Sequence, residues 1–408
     1  MIHWYRFKNF YSYCDDTLVD MSLKKNSSET NYDFYCHGKR YSKVLAVMGP
    51  NGSGKSNLLR PLAFLSWFCS NSFKEQEQDD LLPFYPYKLN ENEDTEIEVC
   101  FSLPYGMEKE SIFKYSITLN KSVVVKEELR IKREKPQYIK IFGRKINKSN
   151  KYKIDVRDSY NFDDAFSLDE IKLVPNNISV ISYLSRKEAI FPRAINTMFS
   201  SIYSNLNLHG KNNLNYRKVL QTARKYYENK EIFNDALKLI KEMDFGIHDI
   251  HLKEDDLIES DTGKTSKQII PYGIHKCGDK EFDIPFLSES SGTQALFSFA
   301  LPLISALRVG GVAVMDEIDS DLHPLMVLSI LSLFENEETN KFNAQLIFSC
   351  HTPEILRRLK KHHVYLVEKV NSMSESWRLD DIIGLRSQDN LYAKYMTGAL
   401  GGVPDISL

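Results

Sequence analysis

The sequence predicts an α/β fold: a mixed or parallel sheet flanked by helices, with an antiparallel β lobe beside it and a helical insertion between its two halves. Three observations lead there. The apolar run SKVLAVM at 42–48 opens into the glycine-rich GPNGSGKS at 49–56, and an apolar, helix-spaced stretch follows from Asn57. Two more apolar runs, VAVM at 312–315 and QLIF at 345–348, end in polar residues and are separated by helical patterns. Between these regions, 96–103, 112–119 and 123–132 are rich in β-formers and partly alternate, as neighbouring antiparallel strands do.

Along the chain, the aromatic-rich 2–13 and then 17–23 read as strands. Residues 42–48 form a buried strand, 57–70 a core helix and 71–80 an exposed polar loop. From 185 to 243, Tyr, Asn, Lys and Leu recur at helical spacing with few glycines, which predicts two or more helices without coiled-coil heptads. Strand-like segments return after 245. A helix over 290–309, a strand at 312–315, a helix over 323–334, a strand at 344–348, a helix over 352–360 and a strand at 364–367 complete the alternation. The expected organisation is a first half at 1–184, a helical insertion or lid at 185–245, and a second half at 246–408. A long insertion of this kind costs little closure entropy.

Bulk properties narrow the function. The chain has 408 residues, 42% of them hydrophobic, which is enough for a large core. A net charge of −2 gives no global basic field that would draw it to nucleic acid. Cys14, Cys36, Cys69, Cys100, Cys277 and Cys350 are scattered and form no Cys-x-x-Cys pair, so reduced thiols in a cytoplasm are expected rather than disulfides or zinc. The opening MIHWYRFKNFYSY is not built like a signal peptide, and no run of about 18 apolar residues is seen, so no membrane span is expected.

GPNGSGKS matches G-x-x-x-x-G-K-[ST] in full, in a strand–loop–helix context. Glycines let Gly49, Pro50, Asn51, Gly52, Ser53 and Gly54 curl so that successive N–H groups face phosphate oxygens, and the helix N-terminus adds positive potential. Lys55 is then expected to reach the β and γ phosphates and the Ser56 hydroxyl to coordinate Mg²⁺, with Asn57 the last of the nucleotide-binding candidates. In VAVMDE (312–317) a buried strand ends in two carboxylates. Asp316 is placed to hold Mg²⁺, and Glu317 to act as the general base on water. In QLIFSCH (345–351) a strand ends near His351, a candidate γ-phosphate sensor; the alternative is a solvated or capping histidine. His323, in DLHP, reads as a packing or interface residue.

The segment LSESSGTQALF (287–297) resembles the signature of ABC-type ATPases in the Ser-x-Gly-Thr form of SMC-like and defence-associated members. The distances from Gly292 to Asp316 and from Glu317 to His351 also suit that class. RFKNFYSY (6–13) resembles the start of SMC-like heads, where the Asn-Phe region lies near the nucleotide, which makes Asn9 and Phe10 candidates. NLYAKYMTGALGGVPDI (390–406) resembles the tail of prokaryotic ABC-like "AAA family" ATPases, commonly encoded beside effector nucleases in phage-defence systems of the abortive-infection and PARIS types. The resemblance covers both ends of the chain and leaves the middle unsupported.

That resemblance implies an ABC-type P-loop ATPase head. Ser290, Ser291, Gly292, Thr293 and Gln294 would complete the ATP site of another subunit in trans. One phosphate loop and one signature per chain then require at least a homodimer. A plain helix N-cap is the other reading of Ser290–Gly292. A signature that is not LSGGQ argues against a transporter. The glutamine loop has only positional candidates, Gln76 and Gln78, both readable as solvated loop residues. Two functions stay open: a defence ATPase that controls an effector, such as a nuclease, from a neighbouring gene, and an SMC/RecF-like DNA clamp whose basic face would be the lysine-rich 121–153. Solvated hairpin edges are the simpler reading of those lysines, since edge strands commonly carry lysine.

Overall fold

The computed structural model describes residues 1–408 apart from 78, 104–110, 134–136, 150, 158–165, 188–189, 209, 212–214, 244–245, 259–264 and 405–408. Its centre is a six-stranded sheet in the order Ile202–Ser204, Val312–Met315, Gln345–Ser349, Val44–Met48, Val364–Val370 and Met373–Arg378. All neighbours are parallel except the last pair. The apolar runs are continuous because both faces are covered. Leu45, Val47, Val314 and Ile347 point into one core, which is closed by the helix Lys55–Glu75 and a second sheet. Val44, Ala46, Met48, Ala313, Met315, Leu346 and Phe348 point into the other, under the helices Ser291–Val309 and Pro324–Glu335.

The second sheet is antiparallel and has seven strands. Tyr152–Val156, Ile139–Ile146, Val124–Lys132, Ile112–Leu119 and Thr95–Ser102 lead to Ile2–Lys8, with Thr17–Asp20 at the far edge. The expected lobe is therefore present, and the N-terminal strand belongs to it. Within the lysine-rich stretch four of the cations are paired with acids of the same sheet. Arg144 is fully buried and pairs with Glu127 at 2.8 Å, while Arg130, Lys126 and Lys140 surround Glu128. The pairs of Lys140 and Arg144 tie neighbouring strands of the sheet together.

Several local expectations shift. The helix after the phosphate loop runs on to Glu75, through the first half of the expected 71–80 loop; Ser72 returns its hydroxyl to Phe68 O at 2.6 Å, so a serine costs the helix little. The expected helix at 352–360 is only a 3₁₀ turn, Pro353–Arg357. The span 185–245 supplies the helices Ile190–Ser200, Tyr216–Glu228 and Lys230–Met243, and between them the edge strand Ile202–Ser204 of the central sheet. A three-stranded sheet follows, Asp249–Ile258, Thr265–Cys277 and Lys280–Pro285. The helix Ser291–Val309 is, against the sequence expectation, long and apolar enough to cross a membrane, but 67% of its apolar window is buried inside the protein. Its composition is that of a core helix between a sheet and a helical pair.

Two buried histidines give the fold a pH dependence. Burial pushes His3 down to about 3 and His362 down to about 3. The unfolded chain protonates both near ~6.5, so between those values the unfolded state binds more protons. Stability therefore falls as pH drops from about 6.5 towards 3, by on the order of 1 kcal/mol per pH unit for each group. Melting temperatures at pH 7, 6 and 5, above the carboxylate range, are expected to fall at each step; a flat series would contradict this. His362 and His363 meet Asp33 closely enough to suggest a metal site. His363 Nδ1, however, accepts the Lys360 N–H at 3.1 Å, so Nε2 carries the proton and donates to Asp33 at 3.3 Å, with no lone pair left for an ion.

Candidate nucleotide site

Three adjacent parallel strands, Val312–Met315, Gln345–Ser349 and Val44–Met48, end on the same side of the sheet, and the three predicted motifs leave from those ends. Ligands of open α/β sheets bind outside the carboxyl ends of the strands. The phosphate loop needs glycine at two close approaches. A Cβ on Gly49 would lie 2.2 Å from Val367 O, and one on Gly54, whose φ is +115°, would lie 2.1 Å from Ser374 Oγ. Lys55 starts the helix. Its ammonium is buried and donates to Gly49 O and Pro50 O at 3.0 Å each, so it lies across the loop it is expected to serve. Burial lowers its pKa from the usual lysine range, against the charges of Asp316 and Glu317. Ser53 has a buried hydroxyl with no partner. A curled backbone, a cation and a free hydroxyl suit a polyphosphate.

Asp316 is held on two sides. Asn205, at the end of the edge strand, accepts the Asp316 N–H at 2.7 Å and donates to its carbonyl at 2.8 Å. Ser349 donates to the Asp316 carboxylate at 2.5 Å and accepts the Glu317 N–H at 2.7 Å. Glu317 itself is at φ 45°, a left-handed conformation that a glutamate adopts only when its surroundings enforce it. One carboxylate is thus locked beside the phosphate loop, and the next is turned sharply out of the strand direction. Asp316 with Ser56 can hold a divalent cation, and Glu317 can take a proton from water.

His351 is exposed at the mouth of the site. Its backbone N–H and the Thr352 hydroxyl both donate to Asp319 Oδ2, at 2.7 Å each. Partial desolvation, then the Lys55 charge, lowers the imidazole below its usual value, so it is neutral at pH 7. Ser290 caps the helix Ser291–Val309, accepting the Thr293 N–H at 3.1 Å, and Gln294 folds back to Leu287 O and Glu289 O. A Cβ on Gly292 would come within 2.9 Å of Asp321 O, so this segment lies against the loop that follows the acid pair. The N-cap reading of Ser290 therefore describes the isolated chain, and it leaves Ser291 and Gly292 at the helix start.

Other candidates fall elsewhere. Asn9 and Phe10 are corrected to core residues: Asn9 donates to Asn90 O and Glu93 O and accepts the Tyr87 N–H, while Phe10 packs on Phe7 and Phe84. Their neighbour Ser12 is the residue that reaches the loop. It accepts from Asn57 at 2.8 Å and from Ser374 at 2.7 Å, and Ser374 contacts Ser53 O. Asn57 thus faces Ser12. Gln76 ends the first helix and donates to Leu81 O, and Gln78 lies outside the described residues. His323 caps Pro324–Glu335 by accepting the Leu325 N–H. Asn205, Ser349, Asp319, Ser12 and Ser374 were missed. Of these only Ser12, in RFKNFYSY, and Ser349, in QLIFSCH, sit inside the motifs singled out from the sequence.

The profile of the family AAA_21, described as "AAA domain, putative AbiEii toxin, Type IV TA system", matches residues 44–357, well over half of the chain and all of the motifs from the loop strand to the histidine turn. The chain belongs to this AAA-domain family. Among solved structures, the Smc head domain of Pyrococcus furiosus is similar over 93% of this chain and 96% of its own, at 14% identity and a TM-score of 0.42. The Smc head of Pyrococcus yayanosii covers 98% and 99%, at 12% identity and a TM-score of 0.43. The recombination mediator RecF with ATPrS covers 92% and 98%, at 12% identity and a TM-score of 0.32. No curated protein matches the sequence.

Proposed function

We propose that this AAA-domain protein binds and hydrolyses ATP between two copies of the chain and that its nucleotide state controls a partner effector in anti-phage defence. The observation that carries the reading is the convergence of the phosphate loop, Asp316–Glu317 and His351 at the ends of three neighbouring strands. Gly49, Pro50, Asn51, Gly52, Ser53, Gly54, Lys55 and Ser56 would cradle the triphosphate. Ser56 and Asp316 would hold Mg²⁺, which neutralises charge on the β and γ phosphates. Glu317 would accept the proton of the attacking water, and His351 would donate to the γ phosphate from its neutral ring. Ser291 and Gly292 at a helix start would face the γ phosphate of the partner copy, with Ser290, Thr293 and Gln294 shaping that start.

Under this reading ATP joins two copies and hydrolysis releases them. The chain then works in the cytoplasm as a sensor or scaffold, with an effector, most simply a nuclease, encoded nearby. The toxin–antitoxin wording of the family description fits such a setting. A DNA-clamp role has less support, because the net charge is −2 and Lys126, Arg130, Lys140 and Arg144 of the lysine-rich stretch are already paired with Glu127 and Glu128. The test is tagged purification from cells carrying the adjacent genes, with and without ATP. Retention of a neighbouring gene product that changes with nucleotide is the expected result. A protein that retains no such product, yet binds duplex DNA with a steep salt dependence, would replace effector control with clamping.

A further inference from the structure

An opening larger than the one beside the phosphate loop lies elsewhere in the molecule. A cavity of about 770 Å³ lies between the edge strand Ile202–Ser204, the helices Tyr216–Glu228 and Ser291–Val309, and the loop after the acid pair. That size is typical of small-ligand sites, about 300–1,000 Å³. Its lining is divided. Tyr203, Ile232, Phe299 and Leu301 supply apolar and aromatic surface, while Lys218 and Lys225 supply charge. The two lysines are seven apart on one helix and so share a face. Among the described residues neither has a carboxylate within ion-pair distance, and Glu228 nearby is taken by Arg224 at 3.0 Å. Burial first, and Lys225 second, lowers the pKa of Lys218, as expected for two like charges brought together without a counterion. Ser298, 2% exposed, lines the same cavity with a hydroxyl that has no partner.

We propose that this cavity binds a mononucleotide-sized organic phosphate, its dianionic head between Lys218 and Lys225 and its flat apolar body against Tyr203 and Phe299. Two unpaired ammonium groups match a phosphate dianion in charge. The ring walls accept a planar body. The occupant would touch the catalytic machinery through one residue and one loop. Asn205 lines the cavity and clamps the Asp316 backbone from both sides. Ser320 and Asp321, next to Glu317 in sequence, line it too. The site is therefore a regulatory one. That regulatory half rests on the ATPase reading above; the binding half does not.

The test separates them. The four ribonucleoside 5′-monophosphates and pyridoxal 5′-phosphate are titrated calorimetrically into full-length Lys55→Ala protein, so that the phosphate loop contributes least, with inorganic phosphate as the head alone. At least one probe should bind one-to-one and more tightly than inorganic phosphate. Lys218→Ala/Lys225→Ala should weaken it by at least about tenfold, the loss of a charge-assisted contact. Leu301→Trp, which puts bulk on the cavity lining without touching charge, should do the same, and circular dichroism checks that both variants fold. No binding by any probe, or binding unchanged in both variants, overturns the site. In the wild-type protein the bound probe should shift ATP turnover about fivefold or more. A probe that binds and leaves turnover unchanged overturns the link to Asp316, while absence of any ATPase in the wild type, with binding intact, counts against the ATPase reading alone.

Discussion

Lys55→Ala is expected to remove ATP turnover and to weaken ATP binding by at least about tenfold, the value of a lost hydrogen bond to a charged group. The structural argument has two parts. The ammonium is the cation buried inside the loop, and it is placed there by the loop's own carbonyls at Gly49 and Pro50. A phosphate entering the loop replaces those two carbonyls as acceptor, so the lysine exchanges neutral partners for a charged one, and alanine offers nothing in return. Lys55→Arg retains charge but not the compact head, and it should recover binding more than turnover. Calorimetry with ATP and a phosphate-release assay check both expectations. Unchanged hydrolysis in Lys55→Ala would sink the assignment of the loop.

Glu317→Gln is expected to lower turnover by about 10²–10⁴-fold, the usual contribution of a general base, while leaving ATP binding nearly intact. Glutamine keeps the shape and the backbone bond to Ser349 Oγ and removes only the proton acceptor. If ATP joins two copies and hydrolysis parts them, the variant should also accumulate as an ATP-dependent dimer on size-exclusion chromatography. The wild type should return to monomer as ATP is consumed. Normal turnover in the variant would remove Glu317 as base. Slow turnover without a dimer would leave the base in place and remove the composite site.

The motifs were legible for a shared physical reason: each is a local constraint. A phosphate loop needs glycine where Gly49 and Gly54 approach other backbone and side-chain atoms within 3 Å, and the pattern of glycines records that need directly. A strand covered on both faces needs an unbroken apolar run, and it turns polar where it leaves the core, at Asp316 and near His351. The antiparallel lobe was visible by its alternation. Errors arose where residues far apart in sequence decide the outcome. Asn9 and Phe10 sit in the right region, but a reversed backbone at Asn9, φ 55°, turns both into the core and brings Ser12 to the loop instead. The apolar helix Ser291–Val309 is a core helix only because a sheet and a helical pair cover it.

The supports of the site belong wholly to the tertiary structure. Asn205 lies in a segment that reads as a helical insertion, yet it ends a sheet strand and clamps Asp316 across a separation of 111 residues. Ser374, near the other end of the chain, braces Ser12 and the phosphate loop from a hairpin that the sequence pattern barely marks. Asp319 looks like any surface acid after a strand, until its carboxylate is found receiving the backbone of His351. The sequence by itself therefore determined the class of fold and where the glycine loop, the acid pair and the histidine proposed to partner it leave their strands, because strand burial, loop curvature and charge are written in neighbouring residues. Which side chains hold those groups in place, and the cavity between Lys218, Phe299 and Asn205, were decided only when the sheet brought distant segments together, because hydrogen bonds and cavities depend on proximity that local composition does not encode.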